Sequence, residues 1–360
     1  MGGQRRQVRP SCSGTSTAHD LAKDHHAPSS LHTYDETDIS MKTIATLTMN
    51  PTIDVSYEVE SVFHTRKMRT RNERYAPGGG GINVARVFCR LGGTARCYYL
   101  SGGATSAALD GLVDLHQLVR TRIPIEHDTR IAAAVLERES GKEYRFTPPG
   151  PPVAAEEWQD CLDRLAEADC SHLVASGSLP PGVPSDFYAR VVRIMQKRGI
   201  RTILDTSGDA LKDGLAGGRV LLVKPSLGEL RQLVGRDLES VEEIGAAATA
   251  IIDKGQAELI AVTMGHRGAL LAWQDGTLHL PALPIEAKSA VGAGDSFLAA
   301  MVYALTVGQE PVDAFRYGMA AGSAAVLTPG TDLAFPEDID RLFALVVGGR
   351  KMAPLRPQNS

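Results

Sequence analysis

From residue 43 to about residue 347, short apolar runs alternate with longer segments of helical periodicity, and this alternation limits the fold more than any other feature of the chain. The runs T-I-A-T-L-T-M at 43–49, H-L-V-A-S at 172–176 and V-L-L-V at 220–223 are apolar enough for strands buried on both faces. Parallel strands need a crossover connection, which is usually a helix. We therefore predict an α/β fold: a doubly wound, mostly parallel sheet with helices on both faces.

Two polar segments, at about 55–76 and 130–146, are rich in β-forming residues and do not fit this alternation. They predict a small separate sheet, a lid, beside the main one. A further helix is predicted after the glycine run at 78–81, ending near Gly92. The other predicted helices span 105–119, 155–168, 185–198, 226–234, 240–254, 294–307, 311–327 and 336–347.

The two ends of the chain differ from this pattern. Residues 1–40 are rich in Ser, Thr, His and Asp and have almost no apolar periodicity, so they cannot bury enough surface to offset the entropy of ordering. We predict a disordered extension there, or alternatively translation from Met41. One domain is predicted at 41–347, followed by a flexible tail at 348–360.

Composition excludes several classes of function. The chain has 38 basic and 42 acidic residues and a net charge of −4, so it lacks the basic excess that drives nucleic-acid binding. No apolar run reaches the roughly 18 residues of a membrane span. The five cysteines are widely spread without a C-x-x-C pair, which argues against a zinc site or a disulfide framework. A reducing cytoplasmic location is expected.

The run V-G-A-G-D-S at 291–296 directly precedes an apolar helix. Glycines let consecutive backbone N–H groups point to one place, and a helix N-terminus adds partial positive charge there. Gly292, Ala293 and Gly294 can therefore stabilise negative charge on a phosphoryl group in transfer. Asp295 is placed to accept a proton from an attacking hydroxyl. The structural alternative is that Asp295 only caps the helix.

A second glycine run, at 78–81, is followed by Asn83. Four glycines allow close approach of a ligand to the backbone, and Asn83 offers a donor and an acceptor to sugar hydroxyls. A flexible turn is the alternative. Neither the Walker A pattern nor the dinucleotide pattern G-x-G-x-x-G occurs in the chain.

Several polar residues follow predicted strands, where ligands bind in open α/β sheets. Asp54 could accept sugar hydroxyls, and Ser178 lies in the stiff loop S-G-S-L-P-P-G. Lys224 could meet a phosphate, whereas Asp205 with Glu229 could hold water-coordinated Mg²⁺. Each of these residues could instead belong to an ordinary turn.

Two further segments have a structural and a functional interpretation. Ser226 and Glu229 have the spacing of a capping box, and that interpretation competes with the magnesium role of Glu229. The segment T-M-G-H-R-G at 263–268 could pass close to nucleotide phosphates, or it could be a hairpin turn.

With G-G-G-G-I-N-V-A-R, S-G-S-L-P-P-G, V-K-P-x-x-x-E-L and V-G-A-G-D-S in this order, the chain resembles the ribokinase-like (PfkB) sugar kinases from about Met41 to Leu345. The runs T-L-T-M-N-P-T-I-D and K-E-Y-R-F-T-P-P-G are similar to the branch that phosphorylates fructose 6-phosphate at its C1 hydroxyl. The resemblance implies an α/β domain with a β-sheet lid, often dimeric through the lid, that uses ATP, Mg²⁺ and usually K⁺.

The resemblance also implies roles for particular residues of this chain. Asp295 matches the catalytic base, and the amides of Gly292–Gly294 match the anion hole. The matches to sugar-binding positions are Asp54, Gly79, Gly80, Asn83 and Ser178, and those to phosphate-contacting cations are Arg130, Lys67 and Arg69. The matches on the nucleotide side are Lys224, Ser226, Thr263, Gly265, Gly268 and Ser323. The matches to metal positions are Glu229 for Mg²⁺ and Ser289, Val291, Ala325, Thr328 and Gly330 for K⁺.

The chain departs from the family pattern at a few positions. Ser226 replaces the Asn of the N-x-x-E motif, which is expected to change the affinity for Mg²⁺ or ATP. Thr328 and Asp332 differ from the usual residues of the cation loop, and Ile131 and Ala132 follow Arg130 where close relatives have polar residues. The alternatives to a fructose 6-phosphate kinase are a fructose 1-phosphate kinase, a tagatose 6-phosphate kinase, a nucleoside kinase and a non-catalytic sugar-phosphate sensor.

Overall fold

The computed structural model describes residues 43–286, 289, 291–328, 330 and 332–348. The extension predicted at 1–40 lies outside these residues, as does all of the predicted C-terminal tail except Gly348. The domain boundaries at those two ends therefore stay predictions.

Thirteen strands are present in the described part of the chain. They are β1 (Ile44–Thr48), β2 (Thr52–Val59), β3 (Arg71–Gly78), β4 (Ala95–Gly102), β5 (Val119–Ile125), β6 (Arg130–Glu137), β7 (Glu143–Phe146), β8 (His172–Ser176), β9 (Arg201–Asp205), β10 (Val220–Val223), β11 (Ala257–Thr263), β12 (Ala269–Trp273) and β13 (Gly276–Leu280).

Nine of the strands form the main sheet, in the order β13-β12-β11-β10-β9-β8-β1-β4-β5. Every pairing from β5 to β11 is parallel, and only the pairings of β12 with β11 and with β13, at one edge, are antiparallel. All five residues of β1 are buried, as expected for a central strand covered on both faces. The predicted doubly wound, mostly parallel sheet is confirmed.

Ten helices are described in the same residues. They are α1 (Gly80–Arg90), α2 (Ser106–Leu115), α3 (Ala155–Ala166), α4 (Phe187–Lys197), α5 (Gly208–Ala216), α6 (Leu227–Val234), α7 (Val241–Asp253), α8 (Ala293–Thr306), α9 (Pro311–Ala325) and α10 (Pro336–Val346).

The helices cover the main sheet from both sides, with a hydrophobic core on each face. Successive residues of β4 belong to different cores: Cys97 and Tyr99 pack in the core with α1, α8 and α9, whereas Tyr98 and Leu100 pack in the core with α3 and α4. This alternation follows from the two-residue period of a strand. It explains why the buried strands are apolar throughout rather than alternately polar.

The remaining four strands form the separate sheet predicted as a lid, in the order β3-β2-β6-β7. Its strand β2 begins four residues after β1 ends, so the lid continues directly from an interior strand of the main sheet. Strand β2 pairs with β6 in parallel and with β3 in antiparallel orientation. Since β3 ends at Gly78, the lid also leads directly into the glycine run and α1.

Most predicted helix bounds differ from the structure by one or two residues, but helix 105–119 was too long. It ends at Leu115 because Gln117 has a positive φ of 56°, a conformation that an α-helix cannot continue through. Strand β5 starts two residues later. Three elements were not assigned from the sequence: β5, α5 and β13. Strand β5 lies at the edge of the sheet and alternates arginine with other residues, and α5 contains Gly and Asp, which form helices poorly.

No helix in the described residues is long and apolar enough to cross a membrane.

Two leucines of α2 test how strongly the helix-covered face of the sheet stabilises the fold. Leu109 is fully buried, whereas Leu115 on the same helix is 79% exposed. Leu109→Ala should lower the free energy of unfolding by about 2–5 kcal/mol, because it removes buried methyl groups and leaves a cavity. Leu115→Ala should change it by less than about 0.5 kcal/mol. Urea unfolding followed by circular dichroism measures both; equal losses would contradict the packing described here.

Candidate active site

The polar residues singled out in the sequence gather where β1, β8, β9 and β10 end and where α1 and α8 begin. This is the carboxyl edge of the parallel sheet, at which open α/β folds bind ligands.

The first turn of α8 carries Asp295, three residues after Gly292. Gly292 caps the helix with φ 69°, and a Cβ at this position would lie 2.3 Å from Cδ2 of Leu333. Both the left-handed backbone and the lack of space require glycine there. The N–H groups that open a helix have no partner within it, so the amides of Ala293 and Gly294 are available to an anion beside the Asp295 carboxylate.

A chain of hydrogen bonds fixes the orientation of Asp295. Asn83 donates through Nδ2 to Oδ2 of Asp295 at 2.9 Å. Arg86 donates through Nη1 to Oδ1 of Asn83 and to the carbonyl oxygen of Pro77, both at 3.2 Å. Because an arginine can only donate, the amide oxygen of Asn83 must face Arg86 and its NH₂ group must face the carboxylate. The two residues lie one turn apart on α1 and hold Asp295 from that side.

The carboxylates of the site have unusually high pKa values. Burial, and after it the negative charge of Asp205, raise the pKa of Asp295, while Asn83, Lys224 and Arg86 lower it; the net result is a rise from 3.8 to about 6. Burial likewise raises the pKa of Asp54 to about 6, against the lowering by Arg86 and Arg130. A carboxylate with a pKa near 6 binds a proton more readily than an exposed one, yet is ionised at neutral pH.

The glycine run places backbone against the polar side chains of the strand ends. A Cβ at Gly78 would lie 2.1 Å from Oδ2 of Asp54, and a Cβ at Gly80 would lie 2.1 Å from Oγ of Ser176. Gly79 has φ 107° and faces Thr48. The absence of side chains at 78–80 therefore lets Asp54 and Ser176 approach the start of α1. The structure brings the predicted sugar-binding residues Asp54, Gly79, Gly80 and Asn83 together.

Lys224 and Asp205 form a buried ion pair of 3.1 Å at the ends of β10 and β9. Burial acts to lower the pKa of Lys224, but the charges of Asp205 and Asp295 outweigh it and raise that pKa. A Cβ at Gly294 would lie 3.2 Å from Nζ of this lysine. The lysine is therefore a charged group directly beside the start of α8, while Asp205 also accepts a hydrogen bond from Ser176 at 3.2 Å.

The geometry of the Ser226 segment shows the capping box, whereas the magnesium role of Glu229 stays a prediction. Oγ of Ser226 accepts from the backbone N–H of Glu229 at 3.2 Å, and Oε2 of Glu229 accepts from the backbone N–H of Ser226 at 2.7 Å. The capping box is thus complete and stabilises the start of α6. It uses one carboxylate oxygen of Glu229 and leaves Oε1 for a water of a metal ion.

The predicted nucleotide segment at 263–268 follows β11. Thr263 ends the strand, and Ser226 and Thr263 form a parallel backbone bridge. Gly265 and Gly268 have φ values of 57° and 90°. A Cβ at Gly268 would lie 2.0 Å from the carbonyl oxygen of Leu280, so the hairpin requires this glycine. Ser323 lies near the end of α9, and both Thr263 and Ser323 are half-buried.

The predicted phosphate-binding cations occupy different environments. The guanidinium of Arg130 donates to the carbonyl oxygens of Asn50 at 2.7 Å, Pro148 at 2.8 Å and Pro51 at 3.4 Å. Ser178 accepts a hydrogen bond from Asn50 at 3.2 Å, which joins the two predicted substrate residues through one loop. Lys67 and Arg69 are exposed between β2 and β3 of the lid.

The predicted K⁺ loop is partly described. Oγ of Ser289 accepts from the backbone N–H of Val291 at 3.2 Å. Two carbonyl oxygens, of Ala325 and Asp332, lie 2.7 and 3.0 Å from Oγ1 of Thr328. The Thr328 hydroxyl and these two carbonyl oxygens therefore lie close together, and neutral oxygens of this kind are ligands that hard cations prefer. Residues 287, 288, 290, 329 and 331 of this region lie outside the described residues.

Two arginines of α1 were missed in the sequence analysis. Arg86 contacts Asn83, as described above, and Arg90 donates to the carbonyl oxygens of Leu333 and Ala334 and pairs with Asp332 at 3.1 Å. A signal was present: both are cations three and seven residues after Asn83 on a helix that is otherwise apolar, and charged residues are rarely buried without a partner. Through Asn83 and through the segment at 332–334, they connect α1 to Asp295 and to the start of the last helix.

The donor set around the site does not form a protein cage for a divalent metal. Among the described residues, no group of three or more His, Cys, Asp or Glu side chains is arranged to hold an ion. Glu229 and Asp205, both predicted for Mg²⁺, are partly used by the capping box and by Lys224. Their oxygens fit a Mg²⁺ that keeps most of its waters and is bound mainly by phosphates.

The sheet order, the lid and a carboxylate at a glycine-capped helix start define a carbohydrate kinase of ribokinase-like fold. A model of the pfkB family carbohydrate kinases matches residues 46–338. The chain belongs to this family of phosphotransferases, which use an alcohol group as acceptor.

Several similar proteins of this family are phosphofructokinases. The chain is 43% identical to ATP-dependent 6-phosphofructokinase isozyme 2 of Mycobacterium tuberculosis over 304 residues, 84% of this chain and 89% of the relative. The structure is similar to two crystal structures of phosphofructokinase-2 from Escherichia coli, covering 85% of this chain and 100% of theirs. The one in complex with potassium is 36% identical with a TM-score of 0.82, and the one in complex with fructose 6-phosphate is 35% identical with a TM-score of 0.80.

Because the pKa of Asp295 is raised, replacing this residue by a neutral one should stabilise the fold, and the gain should depend on pH. Because the folded-state pKa of about 6 lies above the unfolded value of 3.8, the ionised carboxylate destabilises the fold above pH 6. Below about pH 4 both states are protonated, so this cost is absent. Asp295→Asn should therefore raise the free energy of unfolding by roughly 2–3 kcal/mol at pH 8 and by little at pH 4.

Urea unfolding at the two pH values measures this difference. The control is Asp275→Asn, which neutralises an exposed aspartate in the turn between β12 and β13 and should have a small effect at both. A loss of stability at pH 8 for Asp295→Asn would contradict the electrostatic description of the site.

Proposed function

We propose that this protein transfers the γ-phosphate of ATP to the C1 hydroxyl of fructose 6-phosphate and forms fructose 1,6-bisphosphate. The observation that carries the proposal is the Asp295 carboxylate, which has a pKa near 6 and is held by Asn83 beside the open amides of α8. The names of the relatives reported above support the same substrate.

Asp295 is proposed as the general base. Its Oδ2 accepts the hydrogen bond from Asn83, which leaves Oδ1 to take the proton of the C1 hydroxyl as that oxygen attacks the γ-phosphorus. The O–P bond to the sugar forms while the bond between the γ-phosphorus and the β,γ-bridging oxygen breaks. At pH 7 most of the carboxylate is ionised and ready to accept the proton.

The negative charge of the transferring group is proposed to be stabilised by the amides of Gly292, Ala293 and Gly294 and by Lys224. These groups are fixed before the substrates arrive, so they need little reorganisation in the transition state. Mg²⁺ bound to the nucleotide would neutralise phosphate charge, with Glu229 and Asp205 meeting its waters. Thr263, Gly265, Gly268 and Ser323 are proposed to line the nucleotide side, and the loop of Ser289, Val291, Ala325, Thr328 and Gly330 is proposed to hold K⁺.

The substrate is proposed to be held at two ends. Asp54, Asn83 and Ser178 would meet sugar hydroxyls, with Gly79 and Gly80 allowing close approach. Arginine has five N–H donors, and three bonds from Arg130 to carbonyls leave two of them for the 6-phosphate. Lys67 and Arg69 would add lid cations when the lid covers the sugar.

A homodimer formed through the lid is part of this proposal. Tyr75, Ile131 and Phe146 are large hydrophobic residues of the lid strands, and they are 55%, 47% and 61% exposed. Apolar side chains on a small sheet are typical of a surface covered in an assembly. We propose a cytoplasmic location, which fits an enzyme of soluble phosphorylated substrates.

Steady-state assays on a set of acceptors test the proposed substrate. We expect kcat/KM for fructose 6-phosphate to exceed the values for fructose 1-phosphate, tagatose 6-phosphate and adenosine. Asp295→Asn should lower kcat by about 10²–10⁴-fold, since it removes a positioned general base, while circular dichroism shows a folded protein. A higher kcat/KM for another acceptor would show that this acceptor, and not fructose 6-phosphate, is the substrate. Phosphoryl transfer by Asp295→Asn at the wild-type rate would show that Asp295 is not the general base. Binding without turnover would favour a sugar-phosphate sensor.

The departure at Ser226 gives a separate prediction for the nucleotide side. Ser226→Asn restores the family residue, and both side chains cap helices well, so the free energy of unfolding should change by less than about 0.5 kcal/mol. The longer amide should displace a water molecule that lies next to the waters bound to Mg²⁺. The KM for MgATP should therefore change several-fold, whereas the KM for the sugar phosphate should stay the same. Ser240→Asn, at the matching cap of α7, is the control. Equal kinetic effects in both variants would contradict a nucleotide role for position 226.

A further inference from the structure

A second cavity lies away from the proposed active site, where β4 and β5 begin. It has a volume of about 350 Å³ and lies between α1, the turn from α1 to β4 and the turn from α2 to β5. This size is close to the lower end of small-ligand pockets, about 300 Å³. The residues that line it include Arg86, Cys89, Arg90, Thr94, His116 and Gln117. None of the motifs discussed above assigns a ligand to this cavity.

The charged groups of the cavity are mainly cationic. Arg86 and Arg90 lie one turn apart on α1, and His116 faces them from the end of α2. Burial and the neighbouring Arg90 lower the pKa of Arg86 to about 10. Burial and both arginines lower the pKa of His116 to about 4. Arg86 and Arg90 therefore repel each other's positive charge and together disfavour the protonated form of His116, and a bound anion would relieve both effects.

The nearby carboxylates neutralise the positive charges of the two arginines to different extents. Arg90 pairs with Asp332 at 3.1 Å. Arg86 has no carboxylate within 4 Å in the described part of the chain, and Asp332, Asp54 and Asp295 act on it only at longer range. Its hydrogen bonds go to the uncharged oxygens of Pro77 and Asn83. The cavity thus keeps a positive charge without a direct counterion.

Arg86 also has a hydrogen-bond donor that is not satisfied. The residue is only 4% exposed, and its buried Nε has no partner among the described residues. Leaving such a donor without an acceptor is unfavourable, all the more on a charged group. An oxyanion in the cavity would supply the missing negative charge beside this guanidinium.

We infer that this cavity is a binding site for a small phosphate-class anion, held by the guanidinium groups of Arg86 and Arg90 with His116 and Gln117 at its border. Guanidinium groups suit phosphate because their donors match its oxygens in pairs. The cavity volume allows either inorganic phosphate or the phosphate end of a small ester. The two sources share the same recognition chemistry.

Calorimetric titration with inorganic phosphate tests the site. Fructose 6-phosphate and ADP are kept at saturation, so that the proposed active site is occupied. Gln117→Glu adds a carboxylate at an exposed residue of the cavity border, and Gln274→Glu makes the same change at an exposed residue of the turn between β12 and β13. We expect one phosphate per chain in the wild type, and a Kd at least about tenfold higher for Gln117→Glu. Gln274→Glu should stay within about twofold of the wild type.

A second arm uses glycerol 3-phosphate in place of inorganic phosphate and distinguishes the two sources. Tighter binding of the ester assigns the site to phosphorylated metabolites, and tighter binding of the free ion assigns it to phosphate itself; both outcomes support the site. Binding that neither variant weakens, equal weakening in both variants, or no binding of either probe would overturn it.

Histidine NMR gives a readout independent of the calorimetry. An anion next to His116 should raise the pKa of its ring from about 4, while the ring of His127, exposed in the turn after β5, should be unaffected. Phosphate binding with no change at His116 would overturn the placement of the anion in this cavity. Because Gln117→Glu lies outside the proposed catalytic residues, this test can fail while the proposed kinase activity holds.

Discussion

The site depends on one constraint: a carboxylate must stay ionisable while it is largely removed from water. Asp295 meets it because the start of α8 contributes partial positive charge, Lys224 a full charge, and Asn83 a hydrogen bond at 2.9 Å. Burial alone would push the pKa still higher, and the ionised form would then be rare at neutral pH. These opposing effects leave the pKa near 6. The carboxylate that the proposed chemistry requires therefore also weakens the fold at neutral and alkaline pH.

Helix α1 connects the parts of the molecule that surround this carboxylate. Asn83 and Arg86 hold Asp295 from one side, and Arg90 binds the segment at 332–334 next to the predicted K⁺ loop. The same two arginines line the second cavity. A single apolar helix therefore carries three polar residues on one face, and their burial is tolerated because each contacts a fixed acceptor. The glycine run also connects α1 directly to strand β3 of the lid.

Much of the fold was predictable from sequence because local signals agreed with the final structure. The helices that begin at Leu227 and Val241 have capping boxes, and the buried strands are continuous apolar runs. Strand β5 was not predictable, since its alternating arginines favour no element until β4 offers a partner. For the site, glycines and strand-end polar residues gave a clear signal. Arg86 and Arg90 were missed because their partners are distant in sequence.

By itself, the sequence determined the class of fold, the place of the glycine turn before α8 and the family resemblance, because these rest on the order and spacing of residues along the chain. Only the tertiary structure decided how these residues act on one another. The raised pKa of Asp295, the pairing of Lys224 with Asp205 and the unpaired Nε of Arg86 all result from burial among distant segments. Burial and long-range Coulomb interactions depend on three-dimensional distance, which residue spacing does not record.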